Sequence, residues 1–245
     1  MKKAFFTLFL ISLHLTAKEQ IQHTFVASDE SGHQIIYVNE KNPDKNWQVP
    51  VNCRDMQLIG KKQLLVNAVK GYKIISLKNG KTLTNFTATG FKSVNTVRRM
   101  ANGKTYLGGK GQSHPVIIQI LNKKDKLKKT IKVDSIIKDV RLMRRTKKGT
   151  FLLGFGDHIY EIDEEGKIIW KQRIAGGRHI YKAVRNKKGQ TYVASGYGSS
   201  VHLLDKSGKS IREFGKKEGQ QVTKPDFFAD FQVLKNGHIV VTNWM

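Results

Sequence analysis

The sequence predicts an all-β fold, a β-propeller of four-stranded blades, about five to seven in number with the last incomplete. Three observations point there: a segment that recurs every 40 to 48 residues, turn residues at fixed places within each copy, and no helix-period apolar stretch between them. A unit of this length holding four short strands cannot cover both faces of its own sheet. Copies must therefore pack face to face around an axis.

The chain of 245 residues opens "MKKAFFTLFLISLHLTAKEQ", with Lys2 and Lys3 ahead of an apolar stretch from Phe5 to Leu15 and a small-residue end at Thr16-Ala17. That order reads as a secretory signal peptide cleaved near Ala17, with a buried first strand as the alternative. Leu15 stands where a smaller residue is preferred, which leaves the cut itself open. The stretch is about eleven residues where a membrane-crossing helix needs roughly 20, and no later run is longer, so no transmembrane span is expected. Residues 1–17 are thus read as leader and 18–245 as propeller, with a periplasmic or secreted product. Cys53 is the only thiol, so no internal disulfide forms, and it lies too far from the start for lipoprotein acylation. A monomer is expected.

The repeat is clearest in "VRRMANGKTYLGG", "LMRRTKKGTFLLGFG", "AVRNKKGQTYVASGYG" and "QVLKNGHIVVTNW", each a basic lead, a polar turn ending in glycine, and an apolar strand. The turn glycines Gly103, Gly149, Gly189 and Gly237 are 46, 40 and 48 residues apart, and a weaker copy places Gly60 another 43 upstream. The second half of each unit repeats too. "VIIQILNKKDKLKKTI", "HIYEIDEEGKIIWKQRI" and "VHLLDKSGKSIREF" read strand, acidic or amide turn, strand. Asp163 and Asp205 precede Gly166 and Gly208 by three residues, as a hairpin asks: the carboxylate accepts backbone N–H bonds and glycine supplies positive φ. Residues 23–52 form a partial unit, and another begins near Pro225. The two either combine into one closing blade or mark a chain that is part of a longer ring. A β-sandwich with accidental self-similarity is the competing architecture.

The units "YEIDEEGKIIWK" and "HLLDKSGKSIREF", joined to "VLKNGHIVVTNW" and "AVRNKKGQTYVAS", resemble the repeats of exported bacterial propellers of the quinoprotein-like group, with its arylsulfotransferase-like relatives. The resemblance covers about residues 55–245. It implies the fold, a secreted location and a site in the central channel. Some members bind pyrroloquinoline quinone with calcium through a vicinal cysteine pair, whereas this chain has one cysteine. Others transfer sulfate through a channel histidine. The corresponding strand here, "DFFADFQVL", has none, which leaves His179 or His114 to substitute.

The innermost strand of each blade should lie just before its glycine turn, with alternate side chains facing the axis. The channel candidates are then Asn95 and Arg98, Asp139 and Arg141, Arg178, His179 and Lys182, and Asp226 and Asp230. Such a mixture would hold an anionic ligand through charge-assisted hydrogen bonds, or would form ion pairs between blades. The histidines, among them His158, His179, His202 and His238, fall at scattered phases, so no metal site is expected. "GFGDH" and "GYGSS" imitate a Gly-x-Gly pattern, but no helix follows to bind phosphate. They read as strand-linking turns.

The formal net charge is +25, or +23 once the two leader lysines are removed. Such a surplus favours anionic partners and salt-sensitive binding. Runs such as "LNKKDKLKK", "RRTKK" and "FGKKEG" are expected in turns. Nucleic acid is not expected, because Phe151, Phe155, Tyr160, Trp170, Tyr192 and Phe214 recur with the blades and suit packing between them better than base stacking. Acidic polysaccharide, lipopolysaccharide or an envelope protein fits the compartment better. The sequence thus favours a non-catalytic binding or scaffold module for an anionic or polar ligand. The alternative is an arylsulfotransferase-like or quinoprotein-like enzyme with His179, Arg178 and Lys182 as its channel groups, the latter kind using pyrroloquinoline quinone and calcium.

Overall fold

The computed structural model describes residues 22–215 and 226–244; the expected leader at 1–17 lies outside them. A first sheet contains β1 (Thr24–Asp29), β2 (Gln34–Asn39) and β3 (Trp47–Pro50). Four four-stranded sheets follow. They hold β4 (Met56–Ile59), β5 (Gln63–Ala68), β6 (Gly71–Ser76) and β7 (Thr82–Thr87); then β8 (Phe91–Arg99), β9 (Thr105–Gly111), β10 (Val116–Leu121) and β11 (Leu127–Lys132). Next come β12 (Arg144–Arg145), β13 (Phe151–Phe155), β14 (His158–Ile162) and β15 (Ile168–Arg173), and β16 (Lys182–Arg185), β17 (Thr191–Ala194), β18 (Ser200–Leu204) and β19 (Ser210–Gly215). A pair, β20 (Phe227–Val233) and β21 (Ile239–Trp244), completes the order.

Strands within each sheet pair antiparallel with their sequence neighbours. The chain is therefore a β-propeller of five blades, the first three-stranded, with the two-stranded sheet as the incomplete last unit. No ladder joins β21 to β1 among the described residues.

The repeated turns explain the repeated strands. Asp163 Oδ1 accepts from the amides of Glu165 and Lys167 at 3.0 and 2.8 Å, and Asp205 Oδ1 does the same for Ser207 and Lys209 at 2.8 and 3.0 Å. Asn122 plays this part between β10 and β11, where Asp125 takes the positive φ that Gly166 and Gly208 take elsewhere. Each of these turns is followed by a register shift in the outer pair, so the outermost strand is kinked in the same place in all four complete blades.

The core lies between blades rather than within one. Leu65 and Tyr72 of one blade meet Phe91, Val97 and Leu107 of the next, and Tyr106 and Ile118 there meet Phe151 and Leu153 of the one after. The recurring aromatics behave as expected: Phe151 and Tyr160 are buried, and Phe155, Trp170, Tyr192 and Phe214 pack against the same inter-blade clusters. The basic runs depart from expectation in part. Arg144 and Arg145 of "RRTKK" form β12 rather than a turn, and Leu127–Lys129 of "LNKKDKLKK" begin β11, because each is fixed by a partner in the neighbouring blade or strand. In "FGKKEG", Phe214 and Gly215 end β19 and the rest lies outside the described residues.

Candidate functional site

Eight of the nine channel candidates divide into two groups. Toward the axis, β8, β12, β16 and β20 contribute Arg98, Arg144, Lys182 and Asp230, gathered around Asp55 from the connection into β4. Asp55 is 1% exposed. Its carboxylate accepts from Arg98 Nη2 at 2.7 Å, from Arg144 Nη1 and Nη2 at 3.1 Å each, from the Val97 amide at 3.1 Å, and from Thr96 Oγ1. Burial opposes ionisation of Asp55, yet the charges of Arg144 and Arg98 and the Thr96 hydroxyl hold it below the usual carboxylate range. Burial, then the like charge of Arg144, push the Arg98 guanidinium down to about 10. Arg98 Nε is buried without a hydrogen-bond partner.

Lys182 is 7% exposed. Its ammonium donates to Asp230 Oδ1 and to the Phe231 carbonyl at 2.7 Å, and lies 4.8 Å from the Phe231 ring centre. Burial and then Arg144 push it down to about 8, against the pull of Asp230. Asn95, also buried, donates to the Val140 carbonyl of the next blade at 2.8 Å. Arg98 Nε apart, these groups satisfy one another, as inter-blade ion pairs do. Asp226 belongs to neither group: it is exposed, and its backbone N–H is held by Asn243.

The second group sits on the face made by the connections from each outermost strand to the next blade and by the β13–β14 and β17–β18 turns. A cleft of about 590 Å³ there is lined by Gly156, Asp157, Arg173, Gly177, Arg178 and Tyr197, among others. A smaller hollow of about 140 Å³, lined by Asp139, Arg141 and Phe155, adjoins it, and both share His179. The "GFGDH" and "GYGSS" turns build this cleft. Gly156 O accepts from the Ile180 amide at 2.9 Å, and Tyr197 N donates to Arg178 O at 2.9 Å. Gly196, at φ +61, runs so close that a Cβ would lie 2.3 Å from His179 O. Only glycine permits that approach.

Within the cleft, Arg141 Nε donates to His179 Nε2 at 2.8 Å. An acceptor there places the imidazole proton on Nδ1. Burial, then the Arg141 charge, lower the His179 pKa below its ordinary value, so the ring is neutral near pH 7. Tyr197 and Phe227 flank it, with centroids at 6.3 and 5.9 Å. Asp139 Oδ2 is 3.8 Å from Arg141 Nη2, and Asp157 is taken up by Arg173 at 2.7 Å and by His158. Arg178 is exposed, lies 4.8 Å over the Tyr197 ring, and pairs with no carboxylate among the described residues.

Of the other histidines, His114 bonds to Val133 O, and His202 lies between Ser200 and Ser210. No group of three or more His, Cys, Asp or Glu that could hold a metal ion exists among the described residues. Cys53 is buried, its thiol turned to the Asp55 carbonyl. No helix among the described residues is long and apolar enough to cross a membrane.

Sequence reasoning missed Asp55 and Arg144, and also three braces. Arg99, Arg145 and Arg185, each four residues before a turn glycine, stack on Tyr72, Tyr106 and Trp170 of the preceding blade with guanidinium carbons 5.4, 4.8 and 5.2 Å from the ring centres. The Arg-x-x-x-Gly spacing was a usable signal, hidden among the many other cations.

No family model and no curated protein matches the chain. Solved structures do match. A protein of unknown function from Bacteroides caccae has TM-score 0.76 at 21% identity, over 91% of this chain and 83% of that one. A streptogramin B lyase has TM-score 0.60 at 8% identity over 91% and 80%, and the WD40 propeller domain of Doa1 has TM-score 0.60 at 15% over 89% and 74%. Likeness at these identities is one of fold: it agrees with the propeller architecture and assigns no chemistry.

Proposed function

We propose that the chain is a non-catalytic, exported binding module whose loop-face cleft takes a small ligand bearing a carboxylate, sulfate or phosphate. The observation that carries this reading is Arg178: an exposed guanidinium, stacked on Tyr197 and without a carboxylate partner among the described residues, beside the Arg141–His179 pair. A planar guanidinium steadied by an aromatic face is suited to bidentate contact with such an anion, and the His179 Nδ1–H would add a neutral donor. The leader at 1–17 and the resemblance to exported quinoprotein-like repeats support the location.

The enzymatic alternative asks His179, Arg178 and Lys182 to act together. Lys182 is committed to Asp230 and Phe231 on the axial side, while His179 Nε2 is already an acceptor for Arg141. That division of partners favours binding over turnover.

The test is a thermal-shift and calorimetric series with an aryl sulfate, a phosphate monoester, a dicarboxylate and pyrroloquinoline quinone with calcium. A ligand at about a hundred times its Kd adds about 2.7 kcal/mol to the folded state, a resolvable shift. Binding of an anion that disappears in Arg178→Ala supports the reading. Consumption of aryl sulfate that is lost in His179→Ala would overturn it in favour of an enzyme.

A further inference from the structure

The charge of this protein is segregated by face. Antiparallel blades send alternate connections to opposite ends, so ten turns lie on the face away from the cleft: β2–β3, the first and third turns of each four-stranded blade, and β20–β21. These ten turns carry eighteen lysines, all exposed, against seven acidic residues, a surplus of eleven. The described residues of the connections on the cleft face include five cations and six carboxylates. Asp125 and Glu164 are moreover turned to Arg99 and Arg145, and Glu165 to Lys129, so part of the acidic content of the turn face is already neutralised.

A second pattern accompanies the lysines. Lys81, Lys126, Lys167 and Lys209 follow the positive-φ residue of the third turn in successive blades, and one or two positions on stand Leu83, Leu127, Ile169 and Ile211. These four aliphatic side chains are 49 to 54% exposed. They open the outermost strands, so the rim of the lysine face bears an apolar side chain on every complete blade. The ten turns contain no Phe, Tyr or Trp.

We propose that this turn face rests on an anionic lipid bilayer, with lysines at the headgroup phosphates and the rim aliphatics in the interfacial layer. Lysines spread over every blade suit a planar array of charge, and alternating cationic and aliphatic groups is what an interface of headgroups and acyl chains accepts. A single-stranded nucleic acid would be expected to use stacking rings, which these turns lack, and a soluble polyanion would have no use for the exposed rim aliphatics. The inference does not depend on what the cleft binds.

Co-sedimentation of the full chain with vesicles of phosphatidylcholine alone and of phosphatidylcholine mixed with phosphatidylglycerol tests it. Binding is expected only to the mixed vesicles, with release as salt rises and the Debye length shortens to a few ångströms, roughly 3 Å at 1 M. Charge reversal of Lys81, Lys126, Lys167 and Lys209 to Glu should weaken binding at least about tenfold. The same change at Lys70, Lys92, Lys110 and Lys138, toward the cleft end, should leave it nearly unaltered. Serine at the four rim aliphatics should weaken vesicle binding while leaving retention on soluble heparin intact, and circular dichroism of each variant checks folding. Equal loss from both lysine sets, equal binding to neutral vesicles, or heparin binding with no vesicle binding would overturn the proposal, the last in favour of a soluble polyanion.

Discussion

Arg144 in β12 reaches Asp55, 89 positions earlier in the chain, with both terminal nitrogens at 3.1 Å from the carboxylate oxygens. With Arg98 on the same carboxylate, three successive blades meet at one buried anion. Removing a single member of a buried ion cluster leaves the others uncompensated, which is costlier than replacing the whole cluster by apolar groups.

Asp55→Asn is therefore expected to lower unfolding free energy by about 3–5 kcal/mol, measured by urea denaturation at neutral pH. The pH dependence carries a second check. The Asp55 carboxyl is depressed below its ordinary 3.8, so its contribution is present above that value and is lost as pH falls through the lower folded pKa. The acid limb of the wild-type stability curve should flatten in the variant.

Lys182 titrates in the opposite sense to a group that gains a partner. Its folded pKa of about 8 lies below the ordinary 10.5, so between these values the unfolded chain binds a proton that the folded protein has released, and stability rises with pH. Cys53 and Tyr72, pushed up by burial, oppose this from about pH 9 onward, which leaves pH 8–9 as the window. Wild type should gain on Lys182→Met there by up to about 1 kcal/mol per pH unit. A constant difference across that window would contradict the burial of the charge.

Gly196 and Gly156 have nearly the same positive φ, +61 and +62, but different surroundings. A Cβ at Gly156 meets nothing within 4 Å, whereas at Gly196 it meets the carbonyls of Arg178 and His179 at 2.4 and 2.3 Å. Gly156→Ala should cost only backbone strain, about 1–2 kcal/mol. Gly196→Ala should cost more and displace the Arg178–His179 segment, visible as loss of anion binding in a protein that still melts cooperatively.

Arg178→Ala should leave thermal stability within about 0.5 kcal/mol, because the side chain is exposed. Its effect belongs to affinity, with roughly a tenfold or greater loss for the anion. Arg178→Lys should recover little, since an ammonium lacks the planar fork and stacks poorly on Tyr197.

Periodicity made the blades legible because a strand–turn–strand unit writes its geometry locally: Asp163 and Gly166 specify a hairpin from four adjacent residues. Asn122 and Asp125 do the same with different letters, an amide in place of the carboxylate and an aspartate in place of the glycine. β8 and β20 lie where the glycine turns put the inner strands, while Asp139, Arg141, Arg178 and His179 fall in the connections before β12 and β16; by spacing alone all the candidates share one fate, either ligand binding or ion pairing between blades. The structure gives them two, since Lys182 and Asp230 close on each other while Arg178 and His179 stay in connections that no strand period governs. Asp55 was invisible for a related reason. Its partners Arg98 and Arg144 lie one and two blades on, and a ring closes such distances in space without leaving any trace in spacing. Arg144 and Arg145 looked like one basic run, yet adjacent residues on a strand point to opposite sides, one to Asp55 and the other to Tyr106.

Among the described residues, the unequal faces also make an electric dipole directed along the central axis of the ring, from face to face, with the cleft at its neutral pole. A charged surface exerts a torque on such a body before any contact forms, so encounter and orientation are one event. The protein would arrive with its lysines leading and its cleft trailing toward the bulk phase, and capture of a small anion would proceed on the side where the field of the surface is weakest.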